Sequence, residues 1–119
     1  MNTRPDCQFL SIPRAMDYIG DETGVMSLMH TLRQSLLDDL PRIAQSLADG
    51  DVAGANAVLH QLKGFTPVFC TDDLVTQVLR VEALSKQAGV AEVRAAYATL
   101  APLLAQFQAE VDRHIADNP

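Results

Sequence analysis

The chain has 119 residues, enough for one domain with a real core and too few for two. Apolar residues make up 48% and aromatics only 5%, with no Trp, so the core must be built from Leu, Val, Ala, Ile and Met, a composition that favours helices. The net charge is -6 with Lys and Arg scattered singly, which argues against nucleic-acid binding, and no stretch approaches the roughly 18 uninterrupted apolar residues that membrane insertion needs.

Residues 1–10, MNTRPDCQFL, are mixed in character and are expected to be loosely ordered. Ser11 followed by IPRAMDYIG reads as an N-cap, a Pro in the first turn and one short helix closed by Gly20. From Asp21 the pattern becomes regular. Val25, Met29, Leu32, Leu36, Leu40, Ile43 and Leu47 recur at three- and four-residue steps, the signature of a long amphipathic helix with Pro41 as the place for a bend. In the tight turn Asp49-Gly50-Asp51, Gly50 suits a left-handed helix end and Asp51 the N-cap of the next helix.

That next helix carries LHQLKGFTPVFC, residues 59–70, with Pro67 near its far end. Thr71-Asp72-Asp73 supplies a cap and negative charge at the start of a third long helix running to about Ala88, closed by Gly89. The last helix places Val93, Tyr97, Leu100, Leu104, Phe107, Val111 and Ile115 on one stripe, with Pro102 as the place for a kink. Four long helices joined by short turns predict an all-α fold: an antiparallel up-down-up-down four-helix bundle over about residues 21–117, with the short N-terminal helix across one end. Residues 1–119 contain no internal repeat or interdomain linker and read as a single domain. Cys7 and Cys70 have neither metal-type spacing nor the density of a disulfide scaffold, and no signal sequence precedes them, so both read as ordinary thiols in the reducing cytoplasm.

At about 100° per residue, Ala53, Asn56, Ala57, Lys63, Gly64 and Pro67 share a face with His60, whereas Val58, Leu62, Phe65 and Phe69 lie opposite. The apolar side must face the core, which leaves the His60 ring within reach of solvent among small residues and one cation. The turn near residue 71 folds the next helix back, and 71 is the midpoint of 60 and 82, so Glu82 is expected at the height of His60. Its neighbours Val75, Val78 and Leu79 suggest that its side of the helix faces inward. A carboxylate accepting the Nδ1 proton would leave Nε2 with its lone pair outward and would stabilise the ring charge that appears when Nε2 bonds an electrophile. Lys63 would set a compact positive charge beside a phosphoryl group on that nitrogen, and Gly64 would clear space. Histidine, cation, gap and orienting carboxylate together fit phosphoryl transfer through phosphohistidine.

His60-Gln61-Leu62-Lys63-Gly64 resembles the H-x-L-K-G signature of histidine-containing phosphotransfer (HPt) domains, and the likeness of layout extends over about residues 12–117. The resemblance implies an intermediate carrier in a multistep two-component phosphorelay, phosphorylated on His60 and exchanging the group with receiver-domain aspartates. It implies as partners the receiver domains of response regulators and hybrid histidine kinases, which contribute the aspartate pocket and Mg²⁺. The chain itself is expected to need no cofactor and no metal, to act as a monomer, and to be either free-standing or the C-terminal module of a membrane-bound sensor kinase. Lys63 and Gly64 match the family's positions three and four residues after the histidine, and Glu82 resembles the polar residue that often holds the ring. No P-loop and no G-x-G-x-x-G is present, so no ATP site is expected. The sequence departs from the family at Phe65, where a small residue is usual, and at Cys70, where Gly is common; both bear on the partner-facing surface.

Plainer readings compete. His60 alone could be a partly exposed histidine on an alanine-rich face, Lys63 a solvated charge, and Glu82 an i,i+4 partner of Lys86 worth a few tenths of a kcal/mol. A metal site at His60 and Glu82 is disfavoured by the cation beside it. His30 and His114 lack such surroundings and read as surface histidines. From a different class, the chain could be a helical adaptor or degenerate HPt-like domain that binds a receiver or kinase without carrying phosphate.

Overall fold

The computed structural model describes residues 7–119, which form five α-helices: α1 (Ile12–Ile19), α2 (Glu22–Ala48), α3 (Val52–Phe69), α4 (Asp72–Ser85) and α5 (Val90–Asp117). Three of the five helix starts carry a side-chain cap, whereas Thr71 before α4 makes no cap hydrogen bond. The Ser11 hydroxyl accepts the Arg14 N–H at the start of α1, and Gly20, at φ 99°, takes the left-handed turn that ends it. Asp21 caps α2 by accepting the Gly24 N–H at 2.6 Å, and Asp51 does the same for Gly54 at the start of α3 at 2.8 Å. Between them Gly50, at φ 76°, makes the reversal that a side chain would strain. Pro41, Pro67 and Pro102 lie inside α2, α3 and α5, and none of them ends its helix.

Two boundaries differ from the sequence reading. The third long helix ends at Ser85 rather than near Ala88, because Lys86, Gln87 and Ala88 turn back their N–H groups onto Ala83 and Leu84. Gly89 consequently serves as the N-cap of α5.

The α2 stripe packs as the periodicity requires: Val25, Met29, Leu32, Leu36, Ile43 and Leu47 are buried and Leu40 partly so. All seven residues of the α5 stripe are buried. Helix α3 packs against α2 and α4, and α5 packs against α2 and α4 from the other side, while α1 rests on α2 and α3. The inward sides meet in one core that includes Leu59, Leu62, Leu74, Val78 and Phe107. The Arg94 guanidinium donates to the Leu47 carbonyl at 2.7 Å and to Ala48 at 3.3 Å, capping the end of α2 from α5.

Residues 1–6 lie outside the described residues, but the expectation of loose order fails for 7–10. Phe9 and Leu10 are in the core. The buried Glu110 carboxylate accepts the backbone N–H groups of Gln8, Phe9 and Leu10, each at 2.9 Å, and the Gln106 side-chain amide at 2.8 Å. This short segment also pairs with the α3–α4 turn, Ser11 N–H donating to Phe69 and Thr71 N–H to Phe9, both at 2.8 Å. Arg14 completes the join, donating to the Cys70 carbonyl at 2.6 Å and pairing with Asp72 at 2.9 Å. Composition did not suggest order here because the anchoring carboxylate comes from a residue 100 positions away. Cys7 is half-buried and Cys70 fully buried, where desolvation pushes its thiol well up and keeps it protonated.

Candidate functional site

Helix α3 sets His60 outward because its other side is committed to the core: Ala55, Val58, Leu59, Leu62, Thr66 and Phe69 are all buried. Ala53, Ala57 and Gly64 on the opposite face are exposed, Asn56, Lys63 and Pro67 partly so, and the His60 side chain is 64% exposed. A Cβ built on Gly64 would meet nothing within 4 Å, so no packing contact inside the chain demands glycine there. Pro67 lacks an N–H, which deprives the Lys63 carbonyl of its usual helical donor one turn ahead.

Glu82 comes from α4, where it is buried together with Val78, Val81 and Ser85, and is only 2% exposed. Leu79, expected to point inward with it, is 43% exposed. The buried arc of α4 is centred on Val78, Val81 and Ser85, so Glu82 lies at its edge and Leu79, about 60° further round, has passed into solvent. That edge position is what lets a buried carboxylate reach across to α3.

Three donors converge on Glu82. His60 Nδ1 lies 3.4 Å from Oε1, Lys86 Nζ 3.1 Å from the same Oε1, and Lys63 Nζ 3.5 Å from Oε2. Burial alone would push the carboxyl up, but the Lys86 and His60 hydrogen bonds and the Lys63 charge outweigh it and hold Glu82 below the ordinary carboxylate range. It is therefore ionised at neutral pH and can only accept. A neutral His60 facing it must carry its proton on Nδ1, leaving the Nε2 lone pair on the far edge of an exposed ring. Chemically this is an oriented nitrogen nucleophile with a carboxylate behind it to stabilise ring charge.

All four residues expected at the site, His60, Lys63, Gly64 and Glu82, come to one place on the α3–α4 surface. The Lys63 ammonium pairs with Glu82 Oε2, the carboxylate oxygen other than the one that faces the ring. The pair with Lys86, the plainer reading of Glu82, is also present, so the carboxylate makes both contacts.

Two features escaped the sequence reading. The Asn56 amide, one turn before His60, donates to Ser85 Oγ at 2.8 Å and to the Glu82 carbonyl at 3.4 Å, while Ser85 Oγ donates to that same carbonyl at 2.6 Å. This bracket fixes α3 against α4 at the level of the site; Asn56 on the His60 face was its only signal. The second is His114. It is buried at 1% exposure rather than on the surface, and its Nε2 has no hydrogen-bond partner among the described residues. Its place within the Phe107 and Val111 stripe of α5 was the available signal. His30 is exposed as expected, beside Glu22, Met26 and Asn118.

Among the described residues no group of three or more His, Cys, Asp or Glu side chains could hold a metal ion, and no helix is long and apolar enough to cross a membrane. No family model, curated protein or solved structure matches the chain.

Proposed function

We propose that the chain is a histidine phosphotransfer module of a multistep phosphorelay, carrying a phosphoryl group on His60 between the aspartates of receiver domains. One observation carries the reading: an exposed imidazole whose Nδ1 faces a buried, ionised carboxylate, leaving Nε2 outward. The packing of α2 on α3, α3 on α4, α4 on α5 and α5 back on α2, with short turns between them, supports an antiparallel four-helix bundle with α1 at the end where α3 turns into α4.

The transfer is balanced within the two partners. The Nε2 lone pair attacks phosphorus of the receiver's acyl phosphate, and the bond to the aspartyl oxygen breaks with its electron pair returning to that carboxylate. Nδ1 keeps its proton throughout, so the phosphorylated ring is cationic and Glu82 stabilises it. Departure of the group to a second receiver is the same step reversed. The Lys63 ammonium, held by Glu82 at a long 3.5 Å, can leave that contact for the phosphoryl oxygens. Mg²⁺ and the acyl phosphate belong to the receiver in this scheme. Gly64 and the small residues around His60 give the receiver a close approach.

Incubation with a receiver phosphorylated on its aspartate tests the reading. Acid-labile, alkali-stable phosphate should appear on the wild-type chain and not on His60→Gln, with helix content equal in both. Tight receiver binding with no phosphate on the chain would instead make it a non-phosphorylated adaptor.

A further inference from the structure

Glu82 Oε1 is claimed twice, by His60 Nδ1 at 3.4 Å and by Lys86 Nζ at the shorter distance of 3.1 Å. We propose that Lys86 is a positioning residue which, by competing with the imidazole for that oxygen, weakens the hold of His60 on its phosphoryl group and keeps the group transferable. The proposal rests on the phosphotransfer reading of the same site.

A carboxylate stabilises the cationic phosphoimidazole in proportion to the negative charge it turns toward Nδ1. Glu82 has one such charge and, besides the ring, two ammonium partners, of which only Lys86 shares the oxygen that faces His60. Lys86 therefore draws density and hydrogen-bonding capacity away from the ring both before and after phosphorylation. Its ammonium is paired with the oxygen that faces Nδ1, so within the proposal its charge opposes the charge on the ring more than it compensates phosphoryl oxygens carried on Nε2. A carrier needs this restraint: an acceptor that stabilises its phosphorylated form too well cannot pass the group on. Lys86 is the C-cap of α4, and its side chain is 51% exposed, so the competition is screened and the effect modest. An i,i+4 ion pair that merely steadied α4 would have no such consequence for the ring.

The test compares wild type with Lys86→Met, which keeps the apolar stem and removes the charge, and with Lys86→Arg, which keeps both. With a phosphorylated receiver at equilibrium, the partition of phosphate toward His60 should rise roughly two- to fivefold in the Met variant, the size expected of a partly exposed charge, and onward transfer should slow. Arg should restore the wild-type ratio. In the unphosphorylated protein the ¹⁵N resonance of His60 Nδ1 should move in the Met variant toward that of a stronger hydrogen bond and stay put in the Arg variant, a signature that a change in helix stability alone would not produce. A phosphorylated wild type with the Met variant unchanged in both partition and resonance overturns the proposal while leaving the carrier reading intact. A wild-type chain that takes no phosphate overturns the carrier reading and the proposal together.

Discussion

Nδ1 of His60 lies 3.4 Å from Oε1 of Glu82, a long contact between an exposed ring and a buried carboxylate. A distance at the loose end of the hydrogen-bond range tightens when the donor gains charge, which is what phosphorylation at Nε2 does to the ring. In the proposed transfer, replacing Glu82 by Ala removes the anion from a transition state in which ring charge would be forming. Acceptance of phosphate should slow by about tenfold, corresponding to ~1.4 kcal/mol, one charge-assisted hydrogen bond. Rapid-quench kinetics with a phosphorylated receiver measures it. An Ala variant as fast as wild type would remove Glu82 from the chemistry.

At Gly64 the fold and the proposed docking can be tested apart. A Cβ there meets nothing inside the chain, so Gly64→Ala should stabilise the protein by about 0.5–1 kcal/mol, the helix-propensity gain. On the proposed reading, Gly64→Leu should leave the fold intact and slow transfer severely, because its side chain would enter the space through which a receiver approaches. Urea unfolding and transfer rates on the same samples give both quantities.

Glu110 is the anchor of the N-terminal segment. Removing its carboxylate strands three backbone N–H groups, two of them buried, and opens the core over Phe9 and Leu10. At about 1–3 kcal/mol per buried unpaired group, Glu110→Ala should cost roughly 3 kcal/mol or more, read as a lowered urea midpoint with loss of amide protection at residues 8–10. His60 phosphorylation should persist wherever the variant remains folded.

His114 makes stability depend on pH. Burial lowers its tendency to bind a proton, against a smaller opposing pull from Asp117, so the unfolded chain takes up a proton more readily than the native one. Stability is then fully present above the ordinary histidine range and is lost as pH falls through it, with a slope of at most about 1.4 kcal/mol per pH unit from this one group. His114→Leu should flatten the change between about pH 7.5 and about pH 5.5 in urea titrations.

Much of this was legible in the sequence where one periodicity decided the outcome. The α2 and α5 stripes and the outward face of His60 follow from helical geometry and the need to bury Leu and Val. Glu82 could be found because a tight turn makes residues equidistant from 71 neighbours. Contacts set by side-chain reach across distant chain were not legible: the Glu110 clamp on residues 8–10, and the reach of Lys63 to the carboxylate that Lys86 also holds. The burial of His114 is hidden for another reason. Its position on the α5 stripe is plain, but a histidine with no evident partner reads as solvated, although an apolar stripe buries whatever it carries.

The most direct measurement locates the phosphorus. After brief exposure to a phosphorylated receiver, ³¹P–¹⁵N correlation on uniformly labelled protein should give a single phosphoramidate resonance coupled to Nε2 of His60, with Nδ1 still protonated. A resonance on Nδ1, on His30, or on no histidine at all would contradict the account.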